Sequence, residues 1–140
     1  MLSELVVSAF MVILTVMVHG LGLVLLGRLL QDEVRDERVL HLPTLSRRAL
    51  LSTLVIVVAL FALHGAEIWL YAFAYLSTGA IHNLETAIYF STISYAGIGF
   101  SDHYINSHWR LVAGIEGING SLLLGWSTAF FVTMVARLGR

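Results

Sequence analysis

The segment at residues 97–102 carries two glycines within three positions, and it follows a short stretch with a helical pattern. Its six residues are Gly97, Ile98, Gly99, Phe100, Ser101 and Asp102. Because glycine frees the backbone rather than stabilising a helix, we expect the helix to end here and the chain to continue with its carbonyls unpaired. At membrane depth, such carbonyls are tolerated only where they line a water-filled path or are buried in protein. Carbonyl oxygens can replace the hydration shell of a cation, so the segment is a candidate cation-coordinating loop.

Three ionisable residues lie well inside the first two apolar stretches. His19 is near the middle of the first stretch, and His64 and Glu67 are three positions apart in the second, where they share a helical face. Such residues usually face protein or water in a membrane. His64 and Glu67 could form a proton-sensing pair or half of a metal site, which would need further ligands. The alternative, which the sequence favours, is an interhelical hydrogen bond or a Glu67 that stays hydrated near the outer surface.

The last apolar stretch has glycines every three residues, at Gly114, Gly117 and Gly120, and a further one at Gly125. Small residues at this spacing permit close contact between helices in a membrane. They would also permit a gating bend, for which Gly117 and Gly125 are the hinge candidates. Close packing is the more frequent cause of such spacing and is favoured here.

The composition indicates a membrane protein. Of 140 residues, 58% are hydrophobic and 12% are charged, and the mean hydropathy is +0.85. A soluble domain of this size needs more polar surface. The chain has no cysteine, which excludes disulfides and thiolate metal sites. It has no basic patch with interleaved aromatic residues, so no nucleic-acid partner is expected, and no catalytic motif indicates an enzyme.

Three stretches are long enough to cross a bilayer, at residues 5–30, 49–76 and 109–135. The first is expected to be a retained transmembrane helix rather than a cleaved signal. Alternating charges at 31–48 predict a polar connector. An aromatic belt at the outer interface is expected from Trp69, Tyr71, Tyr75 and Trp109.

Arginine placement predicts the orientation of these spans. All eight basic residues are arginines, at positions 28, 35, 38, 47, 48, 110, 137 and 140. Seven of them flank the first connector or follow the last span, so both regions should be cytoplasmic and the N-terminus should be outside. Three crossings satisfy this pattern only if residues 83–100 enter the membrane and return to the same side.

The re-entrant segment should begin as a helix. Asn83 is a suitable N-cap, and Glu85 places a carboxylate at the positive end of the helix. Residues 86–95 form about three turns, which is too short to span a bilayer. The negative C-terminal end of this helix would point toward the membrane centre, where it favours a cation.

This part of the chain resembles the pore-loop potassium channels, particularly bacterial proteins related to the two-pore-domain group. In those proteins an alanine-x-tyrosine-phenylalanine-serine helix leads into a filter of threonine-hydrophobic-glycine-aromatic-glycine-aspartate. The matching residues are Ala87, Tyr89, Phe90, Ser91, Ile98, Gly99, Phe100 and Asp102, followed by Trp109-Arg110, Gly114, Glu116, Asn119-Gly120 and residues 122–129. The likeness is strongest over residues 83–130.

Two filter positions depart from the family pattern. Gly97 replaces the threonine, which removes a hydroxyl ligand from the innermost ion site, and Ser101 replaces the second glycine. A residue with a Cβ pays about 1–2 kcal/mol for the positive φ that this glycine permits. A register shifted by two residues restores both glycines but puts Tyr95 in the threonine position and spoils the match of the helix and Asp102. The ungapped register is preferred, and it predicts relaxed selectivity.

The resemblance implies an all-α membrane protein of potassium-channel type, with three transmembrane helices and a re-entrant pore helix and filter loop in each chain of a homotetramer. Residues 1–48 would be an N-terminal transmembrane helix and cytoplasmic connector. Residues 49–140 would be the pore domain, with an outer helix, a pore helix at 83–95, a filter at 97–102 and an inner helix at 109–137.

The resemblance also implies roles for individual residues. Residues 97–101 would form the ion filter, and Asp102 would attract cations at the outer mouth. Ser94, Glu116 and Asn119 would support the filter or line the cavity below it. Glu116 could instead be an outer-leaflet residue bonded to a neighbouring backbone.

The expected function is passive conduction of monovalent cations, K⁺ and, with relaxed selectivity, Na⁺, across the plasma (inner) membrane. No cofactor is expected beyond the permeant ions, and the expected partners are the lipid bilayer and further copies of the chain. Two alternatives stay open. One is a non-conducting membrane subunit or signalling scaffold that keeps the pore fold. The other is a membrane enzyme or metal-handling protein that uses His19, His64 and Glu67.

Overall fold

The computed structural model describes residues 1–30, 47–99 and 103–138, apart from the side chains of residues 48, 49 and 138. These parts of the chain are helical and contain no strand. The helices are α1 (Leu2–Leu29), α2 (Arg47–Ser77), α3 (Leu84–Tyr95) and α4 (Arg110–Leu138), with a 3₁₀ turn at Ser107–Trp109. Most of the connector predicted at 31–48 lies outside the described residues.

Three of the helices are long and apolar enough to cross a membrane, at Leu2–Leu29, Leu50–Ser77 and Ser107–Arg137. A helix of 28 residues is about 42 Å long, which exceeds the roughly 30 Å of a bilayer's hydrocarbon core. The prediction of three transmembrane helices in an all-α protein is therefore confirmed. The helix α2 ends at Ser77, and Gly79 follows with a φ of +69°, a conformation that glycine adopts without strain.

The short helix α3 begins as the sequence predicts. Asn83 is its N-cap, and the Asn83 side chain accepts a hydrogen bond from the backbone N–H of Thr86 at 3.0 Å. Glu85 lies in the first turn. Twelve residues extend for about 18 Å, which is too short to cross a bilayer.

The chain enters and leaves this region at the same end of the bundle. The backbone N–H of Asn106, after the loop, donates to the backbone carbonyl of Ala80, before α3, at 3.1 Å. The other end of α3 lies beside the middle of α2, where the Tyr95 hydroxyl donates to Glu67. The segment is therefore re-entrant, as predicted, and places the C-terminal end of α3 halfway down the bundle.

The long helices surround α3 in a fixed arrangement. Helix α1 runs antiparallel to α2, with His19 beside Glu67, and parallel to α4, with Thr15 beside Asn119. The main core is formed by buried residues of all four helices, with the large aromatic side chains Tyr71, Tyr75, Phe90 and Tyr95 at its centre. A second apolar cluster, around Leu26, Ile56 and Met134, closes the opposite end.

The predicted aromatic belt is wrong for two of its four members. Tyr71 and Tyr75 are fully buried, with exposed fractions of 0% and 1%. Both hydroxyls bind polar groups of α4, Asn119 and Glu116 respectively, rather than lipid headgroups or interfacial water. Apolar bodies with bonded hydroxyls are well suited to a core position, and sequence position alone does not distinguish this from a belt.

Two of the regularly spaced glycines of α4 let α3 approach closely. A Cβ at Gly120 would lie 2.1 Å from the carbonyl oxygen of Tyr95, and a Cβ at Gly117 would lie 3.1 Å from that of Ser94. By contrast, a Cβ added at Gly114 or Gly125 would meet no atom within 4 Å. Gly117 and Gly120 thus act as a contact surface for the end of α3, which supports the close-packing interpretation at these positions.

Replacing Gly120 by alanine should lower the stability of the folded protein. The added methyl group must displace the Tyr95 backbone, and overpacking of this kind costs about 1–3 kcal/mol. Gly125→Ala is the matched control on the same helix, and it should be neutral or stabilising by up to about 1 kcal/mol because alanine is the better helix former. Thermal or denaturant unfolding in detergent measures both, and equal midpoints for the two variants would contradict the close contact.

Candidate functional site

A glycine-dependent cap ends helix α3. Ala96 is the C-cap residue, and Gly97 follows with a φ of +68°. The N–H of Gly97 donates to Ser94 O at 3.0 Å, and the N–H of Ile98 donates to Ile93 O at 3.1 Å. This pair of bonds is the Schellman motif, which requires a left-handed residue, usually glycine. Gly97 therefore has a structural reason to be glycine that its place in the filter pattern does not reveal.

The residues that follow lie on an uncovered face of the chain. Residues 96–99 are exposed, and Ile98 has 77% of its surface accessible. Gly99 has a φ of +114°, which strongly favours glycine. Phe100, Ser101 and Asp102, which complete the predicted filter and mouth, lie outside the described residues.

Helix α4 contributes to the same uncovered face. The hydroxyl of Ser121 would lie 3.5 Å from a Cβ at Gly97. Other exposed residues of α4 near Ser121 are Ile118, Leu122 and Gly125. The end of α3 and this stripe of α4 together leave a continuous surface with no partner in the described part of the chain.

Glu116 is fully buried and binds both α2 and α3. Its carboxylate accepts hydrogen bonds from the hydroxyls of Tyr75 and Ser91, each at 2.5 Å. Since Tyr75 is on α2 and Ser91 is on α3, this one carboxylate of α4 joins three helices. Glu116 therefore binds side chains of two other helices rather than a nearby backbone, and its support of the filter stays a prediction.

Asn119 joins α4 to two further helices. Its amide donates to the Thr15 hydroxyl of α1 at 2.8 Å and to the Tyr71 hydroxyl of α2 at 3.2 Å. Ser94, the third predicted support residue, is buried against Gly117, and its hydroxyl has no hydrogen-bond partner among the described residues. The structure thus places Ser94 and Glu116 where α3 meets α4 and Asn119 where α4 meets α1 and α2, and all three are buried rather than in an open cavity.

Glu67 is the centre of a second buried polar cluster. Its carboxylate binds His19 Nδ1 at 2.9 Å, His64 Nδ1 at 3.2 Å and the Tyr95 hydroxyl. Ser127 Oγ lies 2.9 Å from His64 Nε2 and 3.3 Å from His19 Nε2. The contact between Glu67 and His19 is the predicted interhelical hydrogen bond. Because Glu67 is completely inaccessible, the alternative of a hydrated Glu67 is ruled out.

Several partners in these clusters were not identified from the sequence as site residues. They are Thr15, Tyr71, Tyr75, Tyr95 and Ser127, and Ser91 was noted only for its match to the pore-helix pattern. The sequence does contain one signal that these residues share. Each is a polar residue inside an apolar helix, where an unpaired polar group is costly. That signal predicts burial against another polar group without saying which one.

Comparison with known proteins identifies the family. A family model described as "Ion channel" matches residues 51–137, which is more than half of the chain. The protein is a member of this ion channel family. The predicted kinship with pore-loop, potassium-channel-like proteins is thereby confirmed. No curated protein and no solved structure matches the chain.

The matched residues of this channel include nearly all of α2, the whole of α3 and almost all of α4, whereas α1 lies before them. The contacts of Thr15 and His19 therefore connect a helix outside the family match to the part of the chain that carries the channel domain. The protein is a multi-pass membrane protein whose long apolar helices contact the lipid bilayer.

Removing the Tyr95 hydroxyl should destabilise the channel. Tyr95→Phe leaves a buried carboxylate without one of its donors, and a lost partner of this kind costs about 1–3 kcal/mol. Tyr89→Phe is the matched control, because Tyr89 lies on the same helix and 55% of its surface is exposed. Its effect should stay within about 0.5 kcal/mol.

Unfolding of both variants under the same detergent conditions measures the difference. If Tyr95→Phe unfolds at the same midpoint as Tyr89→Phe, the Glu67 cluster does not hold the end of α3.

Proposed function

We propose that the protein conducts monovalent cations, with K⁺ as the main ion and Na⁺ also admitted, through a pore shared by four identical chains. One observation carries this proposal. Helix α3 ends at Tyr95, about halfway down the bundle, and the glycine segment that follows lies on an uncovered face. Backbone in this position is tolerated at membrane depth only beside water or protein.

The direction of α3 favours a cation at that point. Its N-terminus carries the Asn83 cap and Glu85 near the bundle end, so its C-terminal carbonyls point toward the middle. The C-terminal end of a helix has a partial negative charge, and this charge acts most strongly in a medium of low dielectric constant. The same end is where the loop begins.

The position of Tyr95 supports the ungapped register of the filter. In the shifted register Tyr95 would take the threonine position and offer its hydroxyl to the innermost ion. In the structure Tyr95 is buried, and its hydroxyl binds Glu67 and lies 2.9 Å from His64 Nδ1. A side chain held behind the loop does not serve as an ion ligand, so the ungapped register is the better assignment.

The ungapped register also supports relaxed selectivity. Gly97 supplies no hydroxyl to the innermost site, and its φ of +68° is unfavourable for the threonine that the family pattern has there. The inner end of the filter would therefore coordinate ions through fewer oxygens. Discrimination between K⁺ and Na⁺ depends on the number and geometry of such oxygens.

A shared pore accounts for the uncovered face. A single chain contributes one loop, which cannot enclose an ion from all sides. The exposed end of α3 and the exposed stripe of α4 around Ser121 would face a common axis in a homotetramer. The arginine pattern supports insertion in the plasma (inner) membrane with the N-terminus outside and the C-terminus in the cytoplasm.

Current recordings of the purified protein in planar bilayers test the proposal. With K⁺ on one side and Na⁺ on the other, the reversal potential should show a preference for K⁺ over Na⁺, and in a concentration gradient of KCl it should approach the K⁺ equilibrium potential, because chloride is excluded. Light scattering of the same sample should give the mass of four chains of 15.4 kDa.

A glycine variant adds a matched control to the recordings. Gly99→Ala should reduce the current because alanine is strained at a φ of +114°. Gly65→Ala in α2, where a Cβ meets open space, should conduct normally. Silence of the wild-type protein in every gradient would contradict conduction and favour a non-conducting membrane subunit or scaffold, and a monomeric or dimeric mass would contradict the shared pore.

A further inference from the structure

Three side chains that are common metal ligands converge in the middle of the bundle. His19 comes from α1, and His64 and Glu67 come from α2. One ligand atom from each lies within 4.8 Å of the other two. His19 and Glu67 are completely inaccessible, whereas 14% of the His64 side chain is exposed. The set of two histidines and one glutamate is one that zinc uses in proteins when a fourth position stays open.

The position of Ser127 indicates which ring nitrogens face the shared centre. Its hydroxyl oxygen lies within hydrogen-bond distance of Nε2 on both His19 and His64, at 3.3 and 2.9 Å. If both rings carried their proton on Nδ1, two Nε2 acceptors would compete for the single Ser127 hydrogen. If one ring carries its proton on Nδ1 and the other on Nε2, Ser127 donates to one ring and accepts from the other. If both rings carry it on Nε2, both donate to Ser127 Oγ, which has two lone pairs.

The arrangement with both protons on Nε2 satisfies the far side of both rings and is the one that frees both Nδ1 atoms for a metal ion. The two Nδ1 lone pairs then point toward the Glu67 oxygens, at 2.9 and 3.2 Å. Lone pairs facing a carboxylate at these distances repel one another unless a proton or a metal ion lies between them. A metal-bound histidine commonly donates its other N–H to a fixed acceptor, and Ser127 is placed to be that acceptor for both rings.

We propose that His19, His64 and Glu67 bind one divalent transition-metal ion, with Zn²⁺ the favoured ion, through the two Nδ1 atoms and a Glu67 oxygen. Metal–ligand bonds of about 2.0–2.2 Å in a tetrahedral site separate neighbouring ligand atoms by roughly 3.3–3.5 Å. The separations of 2.9 and 3.2 Å end on the two different oxygens of Glu67, and the three ligand atoms lie within 4.8 Å of one another, so movement of these side chains would bring them to this spacing. The absence of cysteine in the chain leaves a nitrogen and oxygen ligand set, which suits Zn²⁺ and Co²⁺.

The site has a route of access and a structural consequence. His64 lines a cavity of about 240 Å³ between α2, α3 and α4, together with Thr92 and Tyr95. A metal ion would cross-link α1 to α2 directly behind Tyr95, the last residue of α3. It would thus tie the helix that precedes the family match to the end of the pore helix.

Binding of Co²⁺ to the full-length, untagged protein tests the site without any need for ion conduction. After treatment with a chelator, one Co²⁺ per chain should produce the visible absorption of a tetrahedral nitrogen and oxygen site. Zn²⁺ should displace the Co²⁺ and abolish the absorption. Zn²⁺ should also raise the thermal unfolding midpoint of the wild-type protein.

Two variants and one control assign the ligands. His19→Ala removes a ligand, and Glu67→Gln keeps the shape of the side chain and one acceptor oxygen but removes the negative charge. Since loss of even an outer partner weakens metal binding by about 10–100-fold, each ligand change should weaken it by at least about 100-fold. His82→Ala, on an exposed loop, should bind Co²⁺ like the wild type.

The proposal is overturned if the folded wild-type protein binds less than one Co²⁺ per two chains. It is also overturned if Glu67→Gln, shown to be folded by circular dichroism, binds as well as the wild type. Either result would leave the cluster as a network that holds protons only, and the proposed conduction would be unaffected.

Discussion

The architecture depends on the requirement that two buried carboxylates, Glu67 and Glu116, be fully bonded. An unpaired charge inside a bilayer is costly, so each carboxylate requires donors from neighbouring helices. Glu67 accepts a hydrogen bond from Tyr95 and lies against a ring nitrogen of His19 and of His64, where a proton or a metal ion completes its partners, and Glu116 accepts hydrogen bonds from Tyr75 and Ser91. The partners of each glutamate include a residue of α3. The depth and rotation of the short helix therefore follow from satisfying these groups.

Backbone contact adds a second constraint at the same place. Gly120 and Gly117 let the last carbonyls of α3 lie against α4, and Gly97 lets the helix stop immediately afterwards. A short helix that ends inside a membrane has carbonyls to satisfy, and the Schellman bonds to Ile93 and Ser94 satisfy two of them. The glycine segment thus begins at a defined point rather than at the end of a frayed helix.

Much of the fold could be predicted from the sequence because its signals are local. Long apolar stretches indicate transmembrane helices, and Asn83 with Glu85 indicates the start of α3. The partners could not be predicted, since His19 and Glu67 lie 48 residues apart and Asn119 and Thr15 lie 104 apart. The error at Tyr71 and Tyr75 has the same cause, because their distant partners are not visible in the sequence. A tyrosine hydroxyl can bind water at the membrane interface as well as a carboxylate or an amide in the core.

Helix α1 joins the channel domain although it precedes the matched family region, since Thr15 and His19 bind to the helices around the end of α3. The proposed conduction requires that the uncovered face beside Gly97 line an ion path. The chain has no native cysteine, so Ser121→Cys gives a single thiol beside Gly97, and Met17→Cys gives one on the exposed side of α1. The direct measurement is block of the current by a water-soluble thiol reagent. We expect block of Ser121→Cys and none of Met17→Cys, and a conducting Ser121→Cys channel that resists the reagent would contradict a pore at this face.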